Sequence, residues 1–272
     1  MYKYRISDFG RMFLYNAESD EEGFEGRKSH CHKEFEIYYM IDGEVEIILE
    51  GKKFFIVADS LLLIPSNCFH QWEYPPGRIH RRISVHFLPE FLDKTERNLF
   101  LDKFNEPVHF LNGSFHKLNF FIQTIAECEL FDESMQKAAA KLRLASLLAQ
   151  IQFLRSSSSV KPVILDERIR QVIVYIGRHL KDDLSLDILA DRFTLHKNHL
   201  NVLFHRIVGI PIMKYVSAKR LGMAQQEILS GARLNEAAYS AGFKDYTTFF
   251  RAYRSFYGCS PSEALNGNSV KF

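Results

Sequence analysis

The chain has 272 residues, of which 46% are hydrophobic and 25% charged, and its formal net charge at pH 7 is +2, so it is long enough for two domains with sizeable cores. Its four cysteines have no C-x-x-C spacing, which argues against a disulfide framework and against a cysteine-based zinc site. No apolar run approaches the ~20 residues that span a bilayer, and the N-terminus lacks the apolar region of a signal peptide, so we expect a cytoplasmic protein without a membrane partner.

Residues 29–88 have the pattern of β-structure. The segments "EFEIYYMI" and "EVEIILEGKKFFIVA" are rich in β-branched and aromatic residues. They are interrupted at Asp42-Gly43 and at Gly51-Lys52, and both dipeptides are hairpin signals. Further strands are expected in "SLLLIPSNCFHQWEY" and "HRRISVHF". Short strands at this spacing predict a sandwich or a barrel.

The apolar spacing changes to that of helices near Ser114, which is the expected N-cap of a first helix. The apolar side of this helix contains Phe115, Leu118, Ile122 and Ile125. A second helix follows, and its apolar stripe is predicted to contain Ala138, Leu142, Ala145 and Leu148. We therefore predict an antiparallel helical pair, and the serine-rich segment "RSSSSVKP" ends it as a linker.

The last part of the chain contains an internal repeat of two helices. The first helices have apolar residues at i, i+3, i+4 and i+7, 48 residues apart: Leu186, Leu189, Ala190 and Phe193, then Leu234, Ala237, Ala238 and Ala241. The second helices repeat with an offset of 49: Leu200, Leu203, Phe204 and Ile207, then Phe249, Ala252, Tyr253 and Phe256. Ser185 is the expected N-cap of the first unit, and Gly209 and Gly258 close the two units. Each unit is predicted to be a helix-turn-helix, with two generic helical hairpins in an all-α domain as the alternative.

A connecting helix is predicted between the two units, in "PIMKYVSAKRLGMAQQEILS", where Pro211 suits the first turn. If it holds the second helices ~34 Å apart, both can enter successive major grooves of B-DNA, and one chain then reads a two-part site.

The distribution of charge along the chain also favours DNA binding by its second half. Residues 1–160 hold 19 Lys and Arg against 23 Asp and Glu, whereas residues 161–272 hold 16 against 10, which indicates a polyanion partner for the second half.

The segments "YVSAKRLGMAQQEIL" and "AGFKDYTTFFRAYRSFYGCSP" resemble the DNA-binding domain of AraC/XylS-family transcription regulators, and the match covers about residues 165–265. The region ahead of it looks like the usual partner in that family, a cupin-like barrel followed by dimerising helices. The resemblance implies an α+β fold: an N-terminal cupin-like β-barrel with a helical dimerisation segment, and a C-terminal all-α domain of two helix-turn-helix units joined by a connecting helix. The expected domains are a sensor (1–112), the dimerisation segment (113–155), a linker (156–163) and the DNA-binding domain (164–272).

The first unit departs from the family pattern at its turn. The family often has Gly-x-Ser there, where this chain has Thr194-Leu195-His196. Because β-branched residues resist positive φ, the geometry of this turn and the strength with which the first unit engages bases are open. The second unit keeps its turn glycine, Gly242.

On the second helix of each unit, positions away from the apolar stripe are expected to face the DNA groove. These are Lys197, Asn198, Asn201 and His205 in the first unit, and Tyr246, Thr247, Phe250, Arg251 and Arg254 in the second. Asn can pair with adenine and Arg with guanine through two hydrogen bonds. Lys244 and His196 are expected phosphate contacts, and Asp245 is the expected N-cap of its helix. Phe250 has core packing as its alternative, and Arg220 is interpreted as an internal ion-pair partner.

The N-terminal histidines allow three interpretations. "SHCHKEFEIYYMIDG" resembles the first cupin motif, in which Gly26 precedes, and "ADSLLLIPSNCFH" resembles the second, with Asp59 where the turn usually has glycine. In metal-using cupins, His-x-His, Glu and the later His converge on one ion, and imidazole and carboxylate are typical metal ligands. The resemblance instead favours a small-molecule pocket, so we assign no metal and no cofactor, and structural histidines are the third interpretation. The pocket candidates are His30, His32, Glu36, Tyr38, His70, Trp72 and His86.

The functional prediction is a sequence-specific DNA-binding transcription regulator, not an enzyme, that a small-molecule effector controls. The resemblance implies a sugar or sugar derivative as effector. We expect an activator, with a repressor as the open alternative, and RNA polymerase is a partner if the chain is an activator. The other expected partners are double-stranded DNA and a second copy of the chain in a homodimer. Two alternatives remain: a metal-dependent cupin enzyme with a helical appendage, and a protein-interaction module that uses the C-terminal helices.

Overall fold

The structure is a computed structural model that describes residues 3–19, 28–75, 79–101, 104, 107–110, 116–155 and 161–265. The chain divides into two compact units, Met1–Val163 and Ile164–Phe272. Gly26, Ser114, Phe115 and most of the serine-rich linker lie outside the described residues.

The first unit is built on nine strands. They are β1 (Lys3–Asp8), β2 (Met12–Ser19), β3 (Phe35–Asp42), β4 (Glu44–Leu49), β5 (Lys52–Val57), β6 (Ser60–Ile64), β7 (His70–Glu73), β8 (His80–Phe87) and β9 (Val108–Phe110). One antiparallel sheet has the order β1-β2-β8-β3-β6-β9, and a second sheet contains β5, β4 and β7 in that order. A two-residue strand, β10 (Val163–Ile164), lies at the boundary of the units.

The two sheets pack face to face around one apolar core. Inward-facing residues of both sheets share this core: Tyr38, Met40, Leu62 and Ile64 from the larger sheet, and Val45, Ile47, Leu49, Phe54, Ile56 and Trp72 from the smaller. Among the described strands, no ladder joins the two sheets into one closed barrel. The expected cupin-like barrel is therefore observed as a two-sheet sandwich, which was the other architecture that the strand spacing predicted.

The two predicted hairpins have different outcomes. The turn at Glu50 and Gly51 joins the paired strands β4 and β5, and both residues have positive φ, 48° and 79°. The predicted hairpin at Asp42-Gly43 is wrong. The strands on either side of it do not pair, because β3 pairs with β6 and β8 whereas β4 pairs with β5 and β7. The chain crosses there from one sheet to the other. A Cβ on Gly43 would lie 2.8 Å from the carbonyl oxygen of Ile79, so this crossing needs glycine.

Helices cover the other face of the larger sheet. They are α1 (Lys94–Phe100), α2 (His116–Ala126) and α3 (Glu133–Arg155), with 3₁₀ turns at Pro89–Phe91 and Glu127–Leu130. The predicted residues Leu118, Ile122 and Ile125 of α2 are buried in one cluster with that sheet face.

Of the stripe predicted for α3, Leu148 is confirmed as buried, whereas Ala138 and Leu142 are wrong. The buried residues of α3 are Ala140, Leu144, Leu147, Leu148 and Ile151, whereas Leu142 is 71% exposed and Ala138 is also exposed. Alanine and leucine recur on two sides of this helix, so apolar spacing alone does not distinguish the side that faces the sheet. The second, exposed side is left uncovered in the single chain.

The second compact unit, Ile164–Phe272, consists of seven helices in the part that the structure describes. They are α4 (Glu167–Arg178), α5 (Leu186–Arg192), α6 (Lys197–Val208), α7 (Ile212–Leu229), α8 (Leu234–Ser240), α9 (Tyr246–Tyr257) and α10 (Pro261–Leu265). The predicted cap Ser185 is confirmed, because its side chain accepts a hydrogen bond from the Ile188 N–H. Gly209 and Gly258 end α6 and α9 in the left-handed conformation. In the described residues we find no helix with both the length and the apolarity for crossing a bilayer.

The connecting helix α7 packs with both helix-turn-helix units. Its N-terminal half contributes Tyr215, whose ring lies 5.3 Å from that of Phe204 on α6. Its C-terminal half contributes Leu221, Ala224 and Ile228 to the core of the second helix-turn-helix unit. The other members of this core include Ala237 and Ala238 of α8 and Phe249 and Tyr253 of α9. One rigid helix therefore fixes the positions of α6 and α9 relative to each other.

Candidate functional site

Four histidines and one glutamate converge in the first unit. Backbone pairing brings two of them together, because His30 and His70 exchange N–H to carbonyl hydrogen bonds of 3.0 and 2.9 Å. Glu36 on β3 lies directly opposite His86 on β8 in the antiparallel register. His32 completes the group, and its ring centroid is 5.1 Å from those of both His70 and His86.

The Glu36 carboxylate is the centre of this cluster. Its Oε2 lies 3.4 Å from Nε2 of His32 and 3.7 Å from Nε2 of His70, and its Oε1 lies 3.5 Å from Nε2 of His86. The side chains of Glu36 and His70 are 5% and 1% exposed, whereas those of His32 and His86 retain 17% and 21%. The cluster is thus buried on one side and open to a small molecule or ion on the other.

Burial and charge act in opposite directions on these groups. Burial raises the pKa of the Glu36 carboxyl, but the charge of His86 and hydrogen bonds from His32 and His86 outweigh it and hold that pKa well below its usual range. Burial lowers the pKa of His32, but its hydrogen bond and attraction to Glu36 leave it raised. Burial lowers the pKa of His70 to about 3, against the opposing attraction of Glu36. The cluster therefore combines an ionised carboxylate with a neutral imidazole that can accept a hydrogen bond.

Backbone carbonyl groups orient three of the rings. Nδ1 lies 3.2 Å from the Lys28 carbonyl oxygen in His30, 3.0 Å from that of Glu34 in His32, and 3.0 Å from that of Cys68 in His70. A carbonyl oxygen only accepts hydrogen bonds, so Nδ1–H donates in each ring.

The structure brings together five of the seven predicted pocket residues, and the other two border the cluster. Tyr38 and Trp72 stack on each other with ring centroids 4.2 Å apart, and both are buried in the core between the sheets. The Trp72 ring is 6.3 Å from that of His70. Trp72 therefore fills the core between the sheets, and the two stacked rings form an apolar surface beside the polar cluster.

In the second unit, the exposed face of α9 carries three of the predicted DNA contacts. Thr247, Arg251 and Arg254 are exposed, whereas Tyr246 and Phe250 are half-buried and their rings lie 6.3 Å apart. The predicted N-cap Asp245 is confirmed, because its carboxylate accepts a hydrogen bond of 2.7 Å from the Thr248 N–H. Lys244, just ahead of the helix, is exposed and pairs with Asp183 at 3.2 Å.

The exposed face of α6 differs from the prediction at two positions. Lys197, Asn198 and His205 are exposed as expected, and Lys197 pairs with Asp187 at 3.0 Å. The structure gives Asn201 another role, because its side-chain oxygen accepts a hydrogen bond of 3.1 Å from the Ile212 N–H at the start of α7.

Val202 is 67% exposed on the same face, although the DNA contacts predicted from the sequence do not include it. The repeat held the signal for it, since an offset of 49 aligns Val202 with Arg251.

Arg220 on α7 joins the two helix-turn-helix units from inside. Its Nε donates to the Leu180 carbonyl oxygen at 2.9 Å and its NH2 group to that of Asp182 at 2.8 Å. The predicted internal role is therefore correct, although its hydrogen bonds are to carbonyl oxygens and not to a carboxylate. These bonds tie the segment between α4 and α5 to α7, so they help to hold α6 and α9 in one arrangement.

Comparisons with known proteins agree with these two sites. The family model described as AraC-like ligand binding domain matches residues 10–172, and that described as Helix-turn-helix domain matches residues 189–267. "Probable transcriptional regulator LumQ" of Photobacterium leiognathi is 25% identical over 89% of this chain and 93% of its own length. The arabinose operon regulatory protein of Escherichia coli is 25% identical over 85% of this chain and 80% of its own.

A solved structure of wild-type ToxT from Vibrio cholerae, bound to an unsaturated fatty acid, covers 96% of this chain and 97% of its own at 12% identity, with a TM-score of 0.40 that supports no further conclusion. The ligand-binding model alone covers more than half of the chain, and the relatives are transcriptional regulators, which are not enzymes. The chain belongs to the AraC family of transcriptional regulators, with an N-terminal ligand-binding domain and a C-terminal helix-turn-helix domain.

Proposed function

We propose that this chain is an effector-controlled, sequence-specific DNA-binding regulator whose α6 and α9 read two parts of one operator. The observation that carries the proposal is the pair of twelve-residue helices with exposed polar faces, both packed on α7. Arg251 and Arg254 on α9 and Lys197 on α6 supply cations for phosphates or guanine.

A DNA-binding measurement tests this proposal directly. Fluorescence anisotropy of the full chain on its own promoter is expected to show affinity that falls steeply with salt, because bound Lys and Arg displace counterions. Arg251→Ala is expected to weaken operator binding about 5- to 150-fold, which corresponds to the loss of ~1 to 3 kcal/mol from one good contact to a base. Arg178→Ala, on the exposed side of α4, is the control and should bind nearly normally. Salt-independent binding, or an unaffected Arg251→Ala variant, would favour a protein-interaction module instead.

The cluster around Glu36 is proposed as the effector site, and a sugar or sugar derivative as the effector. Hydroxyl groups both donate and accept hydrogen bonds, so they match a carboxylate that accepts and imidazoles that do either. The Tyr38–Trp72 pair offers a flat apolar surface beside it. One relative is named for the arabinose operon, which makes pentoses and hexoses the first compounds to screen.

A thermal-shift screen of the full chain tests the effector class. A true effector raises the unfolding temperature progressively with its concentration, because it binds the native state and not the unfolded state. His86→Ala, at the open side of the cluster, should abolish that shift, whereas His179→Ala in the second unit should retain it. The sugar proposal fails if no sugar stabilises the chain while another class of small molecule does so and needs His86.

We further propose a homodimer formed through the uncovered side of α3. Met135, Leu142 and Phe153 are 53%, 71% and 73% exposed along this side, and their spacing of 7 and 11 residues keeps them on one helical stripe. Sedimentation velocity should show a dimer for the natural chain and a monomer for Leu142→Glu. Phe55→Glu, which changes an exposed residue on β5, is the control and should stay dimeric. A monomeric natural chain would contradict the proposal.

We propose activation as the sign of regulation, through contact with RNA polymerase. Relatives named HTH-type transcriptional activator RhaS are 24% identical over 54% of this chain and 54% of their own length. In vitro transcription from the promoter should rise when chain and effector are both added. A fall in transcript would identify a repressor and remove the reason to expect a polymerase contact.

A further inference from the structure

We propose that the Glu36 cluster binds one divalent transition-metal ion, through Nε2 of His30, His32 and His70 and the carboxylate of Glu36. The role of the ion in effector recognition rests on the effector site proposed above, whereas the binding of the ion itself does not depend on it. It departs from the expectation of no metal that the family resemblance favoured.

Ring orientation is the first argument. The carbonyl oxygens of Lys28, Glu34 and Cys68 accept hydrogen bonds from Nδ1–H of the three rings, so Nε2 is the nitrogen of each ring that can bind an ion. This is the arrangement in which histidine binds metals, with the second ring nitrogen donating to a backbone carbonyl or carboxylate.

Separation of the donor atoms is the second argument. The ligand atoms of His30, His32 and His70 lie within 4.8 Å of one another, and those of His32, Glu36 and His86 do so as well. Ligands about 2.1 Å from one ion lie about 3.0 to 3.5 Å apart in octahedral or tetrahedral coordination. The distances of 3.4 and 3.7 Å from Oε2 of Glu36 to Nε2 of His32 and of His70 are close to these values.

The third argument is the cost of the arrangement without a cation. Nε2 of His70 is buried, lacks a hydrogen-bond partner among the described residues, and lies 3.7 Å from Oε2 of Glu36. Acceptor atoms that converge in a buried site repel one another, and a cation removes this repulsion.

The donor set also indicates the class of ion. Imidazole nitrogens with one carboxylate suit zinc, iron, manganese, cobalt or nickel, whereas calcium and magnesium prefer oxygen ligands. His86 lies 3.5 Å from the second carboxylate oxygen, Oε1, so it positions Glu36 and is not itself a ligand in this assignment. The exposed side of the cluster leaves coordination positions at which effector oxygens can bind.

Cobalt(II) titration of the chelator-treated full chain tests the proposal. Cobalt(II) serves as the probe because histidine coordination changes its visible absorption, and the expected stoichiometry is one ion per chain. His30→Ala and His70→Ala should remove the high-affinity spectrum, and His86→Ala should weaken binding about 10- to 100-fold. His179→Ala changes a histidine that pairs with Asp182 in the second unit, and it should bind cobalt like the natural chain.

The outcomes separate binding, folding and effector recognition. His30 is only partly buried, so loss of the cobalt spectrum in His30→Ala with an unchanged circular dichroism spectrum supports the site even if His70→Ala fails to fold. No stoichiometric cobalt in the natural chain, or the same spectrum in His30→Ala, overturns the proposal. A chain that binds cobalt but no sugar contradicts only the sugar effector, and one that binds sugar equally with and without metal contradicts the role of the ion in recognition.

Discussion

The two helix-turn-helix units have nearly the same backbone but different side chains at their critical positions. Their helices match in length, seven and twelve residues in each unit. Their turns contain the same hydrogen bonds, from Thr194 N–H to Asp191 O and from Gly242 N–H to Tyr239 O, at 3.2 and 3.0 Å. A second bond runs from Leu195 to Ala190 and from Phe243 to Ala238. The two turns thus have the same backbone hydrogen bonds, although one contains threonine and the other glycine.

The turns differ in how well their residue suits the left-handed conformation. Thr194 has φ of 54° and Gly242 has φ of 91°. Glycine adopts positive φ without a steric penalty, whereas a β-branched residue there is strained. The uncertainty about the first turn that the sequence raised therefore has a definite answer: the turn keeps its geometry and Thr194 bears the strain.

The exposed faces of α6 and α9 that are proposed to contact DNA bases, here called the reading faces, differ as well. The offset of 49 places exposed Val202 where α9 has Arg251, and places Asn201, which caps α7, where α9 has half-buried Phe250. Arg251 suits guanine and Val202 suits a thymine methyl group. The second unit is therefore expected to carry more of the base discrimination, and the comparison can be tested at the turn, at the reading face and at the cap.

The largest expected effect comes from Gly242→Ala. A Cβ there would lie 2.1 Å from the Leu180 carbonyl oxygen, and alanine would also be strained at positive φ. The unfolding free energy of the compact unit Ile164–Phe272 should therefore fall by about 3 kcal/mol or more. Urea unfolding of the full chain measures the loss. Gly231→Ala is a matched control, because φ is 99° but the added Cβ would meet nothing within 4 Å, and it should cost about 1 kcal/mol. Equal losses would show that the contact with Leu180 is not rigid.

The second prediction concerns the reading faces. Arg251→Ala should lose ~1 to 3 kcal/mol of discrimination at one base pair, whereas Val202→Ala should lose less, because a methyl contact is weaker than two hydrogen bonds to guanine. Anisotropy titrations on operators with single base changes measure both. If Val202→Ala affects discrimination as strongly as Arg251→Ala, the two units share the readout equally.

The third prediction relieves the strain of the first turn. Thr194→Gly should raise the unfolding free energy by about 0.5 to 1 kcal/mol, since the relief of a left-handed β-branched residue exceeds the entropic cost of glycine. Thermal unfolding of the full chain measures the gain. Thr247→Gly, in the first turn of α9, is the control and should instead destabilise the chain by about a few tenths of a kcal/mol. A loss in Thr194→Gly would mean that contacts of the threonine side chain outweigh the strain.

Local patterns predicted much of this molecule, and partners distant in sequence account for the rest. The two helix-turn-helix units, the cap Ser185 and the positive φ of Asp59 follow from spacing and backbone preference. The roles of Asn201 and His86 do not, because they depend on Ile212 eleven residues away and on the register of β8 against β3. Spacing also does not say which of two apolar sides of α3 packs on a sheet, since that choice belongs to the tertiary fold.

The smallest expected effect is at the caps of the reading helices. Asp245 caps α9 with a carboxylate, whereas His196 caps α6 with Nδ1, which accepts a hydrogen bond of 3.3 Å from the Asn198 N–H. His196→Asp should therefore stabilise α6 by about a few tenths of a kcal/mol, because a carboxylate interacts better with the helix N-terminus.

The pH dependence of the same variant distinguishes a cap from an unrelated gain. Hydrogen bonds from the Thr248 N–H and hydroxyl lower the pKa of Asp245, so its stabilisation is present above the unfolded-state pKa of about 3.9 and is lost as pH falls through the folded value. His196→Asp should add a second contribution of the same sign, so its gain in unfolding temperature over the non-titrating variant His196→Asn at pH 7 should disappear between about pH 4 and 2, whereas Asp245→Asn should reduce the acid sensitivity. A gain of His196→Asp over His196→Asn that persists at pH 2 would mean that the new side chain acts through packing and not as a charged cap.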